Sequence, residues 1–259
     1  LKVILLACRN NYLLQITDNN SSPDMAVIGI FVSRGKQMLK ISETEENYLK
    51  AIFKIFEKED RPVSTNAIAA EMNTSAASVT DMIKRLSEKL LVLHEKYRGV
   101  VLTDEGSRVA KTLIRKHRLW EVFLVDKLDF SWDEVHAIAE QLEHIQSDSL
   151  IERLDDFLGF PRFDPHGDPI PDAAGNMVLR KQVLLCDLKE GNACIVVGVQ
   201  EHHPDFSRYL ERMQLMLGAE LVLLERFGFD ESVRVRVGGI QELLLSRKVA
   251  QNLFVQKIS

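Results

Sequence analysis

The stretch VHAIAEQLEH, residues 135–144, carries two histidines and two glutamates at helical spacing. His136, Glu140, Glu143 and His144 recur at i, i+4, i+7 and i+8, and on an α-helix these positions form one stripe about 100° wide. In a globular protein such a stripe usually consists of apolar core residues. Imidazole and carboxylate groups are instead ligands for divalent metals, so this spacing predicts a metal site.

A second pair of the same kind lies on the preceding predicted helix, where His117 and Glu121 stand at i and i+4. Each residue alone would be interpreted as an ordinary surface or hydrogen-bonded side chain. Six such groups on two adjacent helices are harder to explain without an ion, because burying unpaired charges is costly. The donors are nitrogen and oxygen without a thiolate, which favours Mn²⁺ or Fe²⁺ over a structural zinc ion. An acidic, solvated helix face stays open as the alternative.

The elements that precede these two helices follow a definite order. Ser42 begins a helix with acidic residues in its first turn, and the runs VSTNAIAAEMN and TSAASVTDMIKRLSEKLL predict two short helices joined by a tight turn. The stretch LVLHEKYRGVVLT then predicts a small hairpin. A helix, a helix-turn-helix and a hairpin in this order predict a winged helix-turn-helix.

A winged helix-turn-helix binds double-stranded DNA through the second helix of the pair. Small side chains at the start of that helix allow close approach to base edges, and basic residues one turn later can reach phosphates. The predicted DNA contacts are Ser75, Ala76, Ala77, Ser78, Thr80, Asp81, Lys84 and Arg85 on the helix, with Tyr97 and Arg98 on the wing. Protein–protein contact is the alternative, because winged helices also serve in that role.

The rest of the chain predicts two further domains, and the predicted fold class is α+β. Helical patterns lead to a loop rich in proline and aspartate, PRFDPHGDPIPD, and short β-rich runs with one helical insert follow it. We therefore expect the winged helix-turn-helix over residues 38–103, an all-α domain over 104–174 and a small β-barrel over 175–259. Residues 1–37 are predicted to be an extension that is disordered or not natively translated, because Met38 directly precedes the first clear helical pattern.

The bulk composition describes an ordinary soluble globular protein. The chain has 259 residues, of which 46% are hydrophobic and 27% are charged, and its net charge is −5. This charge argues against a protein that coats nucleic acid, although a global sum can hide a local basic surface. The three cysteines form no C-x-x-C pair, which predicts a reducing, cytoplasmic location without disulfides. The opening run LKVILLAC is too short to span a bilayer, so no membrane partner is expected.

Together these motifs resemble the diphtheria-toxin-repressor family, whose members are metal-activated, dimeric bacterial repressors. The resemblance rests on the winged helix, RKHRLWE at 115–121, VHAIAEQLEH at 135–144 and HGDPIP at 166–171, and it covers essentially Met38 to Ser259. It implies that the helical domain binds metal and dimerises, and that the C-terminal domain is an SH3-like β-barrel of the FeoA type. It also implies a homodimer that represses transcription at a palindromic operator in double-stranded DNA.

By position, the resemblance implies two metal sites. The primary site would use Asn47, Glu140, Glu143 and His144. The ancillary site would use His117, Glu121 and His136, completed by His202 and Asp205 from the loop EHHPDF.

The same resemblance bears on the choice of metal. Iron-responsive members have Met and Cys at the first two primary positions, so Asn47 and Glu140 make this site harder and favour Mn²⁺, with Fe²⁺ as the close alternative. Manganese-responsive members have Asp and Glu where this chain has Asn47 and Lys50, and a charged lysine cannot ligate a metal. An ion between Asn47 and the helical domain would fix the angle between the two domains, and thus the spacing of the two recognition helices in a dimer.

Two other functions are compatible with parts of the pattern. A His/Glu cluster could belong to a metalloenzyme, and a winged helix could regulate transcription without metal. The chain shows no Gly-rich phosphate loop, and the Glu-x-x-His pair of di-iron bundles is missing from the cluster. We therefore expect a regulator and not an enzyme.

Overall fold

The computed structural model describes residues 2–8, 11–17, 40–95 and 98–258. The chain divides into two units, residues 1–40 and 41–259. In the first unit, β1 (Lys2–Cys8) and β2 (Asn11–Thr17) pair as an antiparallel hairpin, with Lys2 opposite Thr17. The strands correspond to two runs rich in residues that favour β-structure, for which the sequence analysis predicted no element. That residues 1–37 are an extension stays a prediction.

The second unit begins with the long helix α1 (Glu43–Glu59). Ser42 and Glu45 form a capping box, in which the Glu45 backbone N–H donates to the Ser42 hydroxyl and the Ser42 N–H donates to the Glu45 carboxylate. Tyr48, Leu49 and Ile52 are buried on the inner face of the helix. The same inner face carries a buried lysine, which belongs to the functional site.

The predicted helix-turn-helix is formed by α2 (Thr65–Glu71) and α3 (Ala76–Glu88). The hydroxyls of Ser64 and Ser75 accept backbone N–H bonds at the two helix starts, which is why the helices begin there. The strands β3 (Val92–Glu95) and β4 (Gly99–Leu102) pair antiparallel as the wing. The hydrophobic core under these elements contains residues from α1, α2, α3, both wing strands and the next helix.

Three helices follow the wing: α4 (Asp104–Leu128), α5 (Trp132–Leu142) and α6 (Asp148–Phe157). The first half of α4 contributes Ala110 and Ile114 to the core shared with α1 and α3. Its second half contributes Leu119 and Leu124 to a separate core with α5 and α6. Because one continuous helix belongs to both cores, it mechanically joins the DNA-binding fold to the helical domain. None of the helices described is both long and apolar enough to cross a membrane.

The C-terminal region forms one antiparallel sheet with two short helices. Its elements are β5 (Val183–Leu184), β6 (Ala193–Val199), α7 (Pro204–Arg212), β7 (Glu220–Arg226), β8 (Val233–Val237), β9 (Gln241–Leu245), α8 (Arg247–Ala250) and β10 (Leu253–Lys257). The strand order is β5-β10-β6-β7-β8-β9, and the two end strands do not pair with each other in the described part of the chain. The predicted barrel is therefore not closed, because β5 is only two residues long before the chain turns into a 3-10 helix.

The loop between α6 and the sheet packs directly on β6 through Gly167. Gly167 has φ +90°, and a Cβ atom added to it would lie 2.1 Å from the carbonyl oxygen of Val197. The Val199 N–H donates to the carbonyl of His166, which ties the same loop to the strand. The absence of a side chain at position 167 thus lets the loop approach the sheet closely.

We expect Gly167→Ala to destabilise the protein by about 2–5 kcal/mol, from a left-handed backbone penalty of about 1–2 kcal/mol and overpacking of about 1–3 kcal/mol. Gly159→Ala is the matched control, because Gly159 also has positive φ but no atom lies within 4 Å of an added Cβ. Urea unfolding followed by circular dichroism measures both free energies. Equal losses for the two variants would show that the loop does not depend on close approach to β6.

Candidate metal centre

The carboxylate of Glu121 on α4 lies at the centre of a buried group of histidines. His117 Nε2 lies 3.0 Å from Glu121 Oε1, as the i, i+4 spacing predicted. His136 on α5 brings Nδ1 to 3.3 Å from the same oxygen and 3.1 Å from His117 Nε2. Glu121 is only 2% exposed. One ligand atom from each residue lies within 4.8 Å of the others, so this group could hold a metal ion.

A second group on the other side of Glu121 was missed by the sequence analysis. His166 Nδ1 lies 3.8 Å from Glu121 Oε2, and a carboxylate oxygen of Asp164 completes a set of three potential ligands, all buried. Both residues belong to the loop after α6. The motif HGDPIP, which supported the family resemblance, contains His166 and was the available signal.

Two arginines of α4 hold this loop against the candidate metal site. Arg118 pairs with Asp164 at 3.5 Å and Asp168 at 3.2 Å, and it donates to the carbonyl oxygen of Pro169. Arg115 donates to the carbonyl oxygen of Pro171 in the loop at 3.4 Å and also pairs with Asp155 of α6 at 2.9 Å. The motifs RKHRLWE and HGDPIP therefore occur together for a structural reason, because the first supplies the donors that position the second.

Glu143 joins the two metal sites that the resemblance had kept apart. Its Oε2 lies 2.6 Å from His117 Nδ1, and its Oε1 lies 2.6 Å from Lys50 Nζ on α1. Glu143 is fully buried. The carboxylate therefore contacts both α4 and α1 from its position directly after α5, which ends at Leu142.

Of the remaining predicted primary ligands, His144 lies 3.8 Å from this carboxylate and Glu140 shares Lys50 with it. His144 Nδ1 lies 2.8 Å from Glu46 Oε2, so the neighbour of Asn47 makes the contact from α1. Asn47 Oδ1 is buried and has no hydrogen-bond partner among the described residues, and its role as a ligand stays a prediction. Glu140 is half exposed, with Oε1 3.7 Å from Lys50 Nζ and 3.6 Å from His136 Nε2.

The two metal ligands predicted from the C-terminal domain, His202 and Asp205, lie in different surroundings. His202 Nε2 lies 3.6 Å from Asp168 Oδ2, and its ring centroid is 5.5 Å from that of His166, so it borders the second group. Asp205 instead forms a 2.7 Å ion pair with Arg208 on α7 and is 75% exposed at its side chain. Asp205 lies in the first turn of α7, and its role as a ligand stays a prediction.

Burial and charge act in opposite directions on the ionisation of these groups. Burial disfavours the charged form of His117, but the carboxylates of Glu121 and Glu143 outweigh it and raise its pKa. For His166, burial opposes protonation, but the carboxylate of Glu121 favours it and raises the pKa to about 9. Burial would raise the pKa of Glu121, yet the adjacent histidines hold it well below its usual range. A metal binding to these imidazoles would therefore displace protons.

Two further groups at the loop have pKa values governed by burial. Burial, reinforced by Asp168 and Glu121, raises the pKa of Asp164 to about 7. Burial also lowers the pKa of His202 to about 4, in spite of the nearby Asp168. A neutral His202 keeps the lone pair of one imidazole nitrogen available to bind a metal ion or a proton.

The predicted DNA-reading surface lies on the outer face of α3. The exposed residues there are Ser75, Ala76, Ala77, Ser78, Thr80, Asp81, Lys84 and Arg85. The Thr80 hydroxyl donates to the Ala76 carbonyl, while Val79 and Ile83 turn into the core. On the wing Arg98 is exposed, whereas Tyr97 lies outside the described residues.

Three family models match this chain in the order of its elements. They are the iron dependent repressor N-terminal DNA binding domain over residues 40–100, its metal binding and dimerisation domain over 103–172, and the FeoA domain over 183–257. The iron-dependent repressor IdeR of Mycobacterium leprae is 32% identical over 186 residues, which cover 68% of this chain and 80% of that protein. The diphtheria toxin repressor of Corynebacterium jeikeium is 32% identical over 134 residues, or 52% of this chain and 55% of that protein.

The structural comparison agrees with the sequence comparison. A solved manganese-dependent transcriptional repressor in complex with manganese has a TM-score of 0.75 and 36% identity, and the match covers 83% of this chain and all of that chain. Against other mycobacterial IdeR proteins, such as that of Mycobacterium bovis, the match spans 58% of the relative's length. The resemblance predicted from the motifs is thereby confirmed. This chain belongs to the family of metal-dependent transcriptional repressors that includes IdeR and the diphtheria toxin repressor.

Proposed function

We propose that this protein is a metal-dependent, DNA-binding transcriptional repressor that controls metal-ion homeostasis, with Mn²⁺ as its activating ion and Fe²⁺ as the alternative. One observation carries the proposal: Glu121, which is common to both candidate metal groups, and His117 lie on α4, and α4 belongs to the hydrophobic cores of both the DNA-binding fold and the helical domain. In this proposal the protein acts in the cytoplasm and catalyses no reaction. The relatives named as repressors support that reading.

The donor atoms around Glu121 fit a hard or borderline divalent ion. The two candidate groups combine three imidazoles, from His117, His136 and His166, with the carboxylates of Glu121 and Asp164. Neither described group includes a thiolate, since Cys194 lies in the core of the C-terminal sheet. Oxygen and imidazole ligands without sulfur suit Mn²⁺ and Fe²⁺, and the carboxylate content favours Mn²⁺.

The ion would supply two positive charges and directional bonds that draw these ligands together. The chain's own part is to present ligands from α4, α5 and the loop after α6 to one centre. Arg118 orients the loop, and Gly167 fits the same loop against β6. A change in the separation of these three segments would move α4. Helix α4 packs against α1 and the wing, and these share a hydrophobic core with the recognition helix α3.

The outer face of α3 would contact double-stranded DNA in the major groove. The first turns of α3 carry small side chains, from Ser75, Ser78, Thr80 and the two alanines. They allow the helix to approach base edges closely. Lys84 and Arg85, one turn further along α3, are exposed and would contact phosphates, with Arg98 and Tyr97 assigned to the wing. The side chains carry few bidentate base readers, so DNA shape would supply much of the specificity.

The operator would be palindromic, because we propose that the protein acts as a homodimer. Phe157 on α6 packs against Phe123 of α4 at 6.3 Å between ring centroids, yet it is 64% exposed. Phe160 and Leu128 are also more than half exposed. Exposed apolar side chains at the ends of two helices are typical of a protein interface. A homodimer that reads a palindrome has its two recognition helices, here the two copies of α3, on successive turns of DNA.

The central test is the metal dependence of DNA binding. A short duplex selected by the protein from a randomised pool should bind about 5- to 150-fold more tightly with Mn²⁺ than with chelator, because a coupling free energy of about 1–3 kcal/mol is typical of such regulation. Fluorescence anisotropy at fixed ionic strength measures both affinities. Mn²⁺, Fe²⁺, Zn²⁺ and Co²⁺ at matched free concentrations rank the ions. Equal affinity with and without chelator would refute metal activation.

The assignment of α3 is tested through the salt dependence of binding. Arg85→Ala should weaken Mn²⁺-dependent binding of the selected duplex and of unrelated duplexes alike, and lower the slope of log K against log salt by about 1, because one phosphate contact is lost. Lys248→Ala is the matched control, since Lys248 is an exposed basic residue of the C-terminal sheet domain. If both variants bind with the wild-type slope, the DNA-binding surface lies elsewhere.

A further inference from the structure

Lys50 occupies an unusual place on the inner face of α1. Its side chain is 8% exposed, and its Nζ lies 2.6 Å from Glu143 Oε1 and 3.7 Å from Glu140 Oε1. The ammonium thus lies between two carboxylates that the family resemblance assigns to a metal site. The ammonium of Lys50 offsets the negative charge of these two carboxylates, as a bound metal ion would, but it belongs to the chain itself.

Both oxygens of Glu143 are already engaged by this arrangement. Oε1 accepts from Lys50 Nζ, and Oε2 lies 2.6 Å from His117 Nδ1. An ion bonded to Oε1 would stand within about 5 Å of the ammonium, because metal–oxygen bonds are about 2 Å long. In so buried a place, two like charges at that separation repel each other strongly. Binding of the Lys50 ammonium by the Glu143 carboxylate therefore competes with binding of a divalent ion.

The other side chains at this junction are also linked without any ion. His144 Nδ1 lies 2.8 Å from Glu46 Oε2, and the Gln146 side-chain amide donates to Glu46 Oε1. Together with Lys50 and Glu143, these contacts connect α1 to the segment that follows α5. By contrast, the ion-pair partners of Glu121 among the described residues are the imidazoles of His117, His136 and His166.

We propose that Lys50 is a built-in cation that replaces a divalent ion between α1 and the helical domain. Metal then binds only at the group around Glu121, and the residue at position 50 determines whether the junction formed by Glu140, Glu143 and His144 can hold an ion. This inference rests on the proposed function, because it assumes that the group around Glu121 binds metal. It differs from that function in assigning the junction to the chain's own ammonium.

Removing the charge at position 50 should convert the junction into a metal site. In Lys50→Gln, Glu143 Oε1 and Glu140 lose their cation and become available with His144 as two carboxylates and an imidazole. Such a set suits Mn²⁺. We expect Lys50→Gln to bind an additional Mn²⁺ ion per chain relative to wild type, measured by equilibrium dialysis against Mn²⁺ and elemental analysis of the full-length protein. Adding His144→Ala to this variant should remove the additional ion.

Lys58→Gln is the matched control, because Lys58 is an exposed lysine on the same helix, and its metal content should equal that of wild type. Equal Mn²⁺ content in Lys50→Gln and wild type would overturn the proposal. A second variant tests it with Lys50 intact: Glu121→Gln should bind no Mn²⁺, and an ion that is retained there but lost when His144→Ala is added would show that the junction binds metal despite the ammonium.

The same measurements separate this inference from the proposed function. Wild-type protein that binds no Mn²⁺ would refute metal-dependent repression, whereas the difference between Lys50→Gln and wild type still reports on Lys50 alone. Wild-type protein that binds Mn²⁺ at both places, shown by an ion that survives Glu121→Gln and is lost when His144→Ala is added, would refute the built-in cation and leave the function standing.

Discussion

The Glu143 carboxylate is the constraint on which the arrangement of the domains depends. It is fully buried, and burying an ionised carboxylate is tolerated only if charged or hydrogen-bonding partners surround it. Its partners come from two different helices, Lys50 on α1 and His117 on α4, while the residue itself follows α5. The lysine and the histidine together hold the pKa of Glu143 below its usual value against the effect of burial. Consequently α1, α4 and α5 must meet within hydrogen-bonding distance of one carboxylate. A rotation of the DNA-binding fold on the helical domain would expose this carboxylate to water or leave it buried without a partner.

Glu121 has the same role one helical turn beyond His117, but its partners are histidines. It gathers His117, His136 and His166 from α4, α5 and the loop, and Arg118 adds the loop's own acids to the network. His117 contacts both glutamates, so the two buried carboxylates form one continuous network and not two independent sites. This continuity means that a charge placed at either end alters the electrostatic environment of the other end. Within such networks, the effects of single substitutions are not additive.

The elements were predictable from sequence because their signals are local. Ser42 caps α1 where the sequence predicted a helix start, and the wing follows from two short β-branched runs. The partners of Glu143 were not predictable, because they depend on how α1 packs against α4. The family resemblance assigned Glu143 and His117 to separate sites, and it gave no sign that Glu46, the neighbour of Asn47, would contact His144. Neighbouring residues on a helix differ in direction by about 100°, so this contact depends on how α1 is rotated about its axis. The open C-terminal sheet was likewise hidden, since the two-residue length of β5 has no clear sequence signal.

The difference between the two ends of the network determines where metal could regulate the protein. The bond from Lys50 to Glu143 is supplied by the chain, so its strength does not vary with metal concentration. A ligand shifts an equilibrium only by the difference in its affinity for the two states. In the proposed function, control by metal must therefore enter through Glu121, whose candidate co-ligands lie on α4, α5 and the loop, and none lies on α1. The route from there to α3 runs along α4, because Ile114 of that helix packs in the same core as Val79 and Ile83. The Lys50–Glu143 contact then stays the same with and without metal, and α4 moves relative to it.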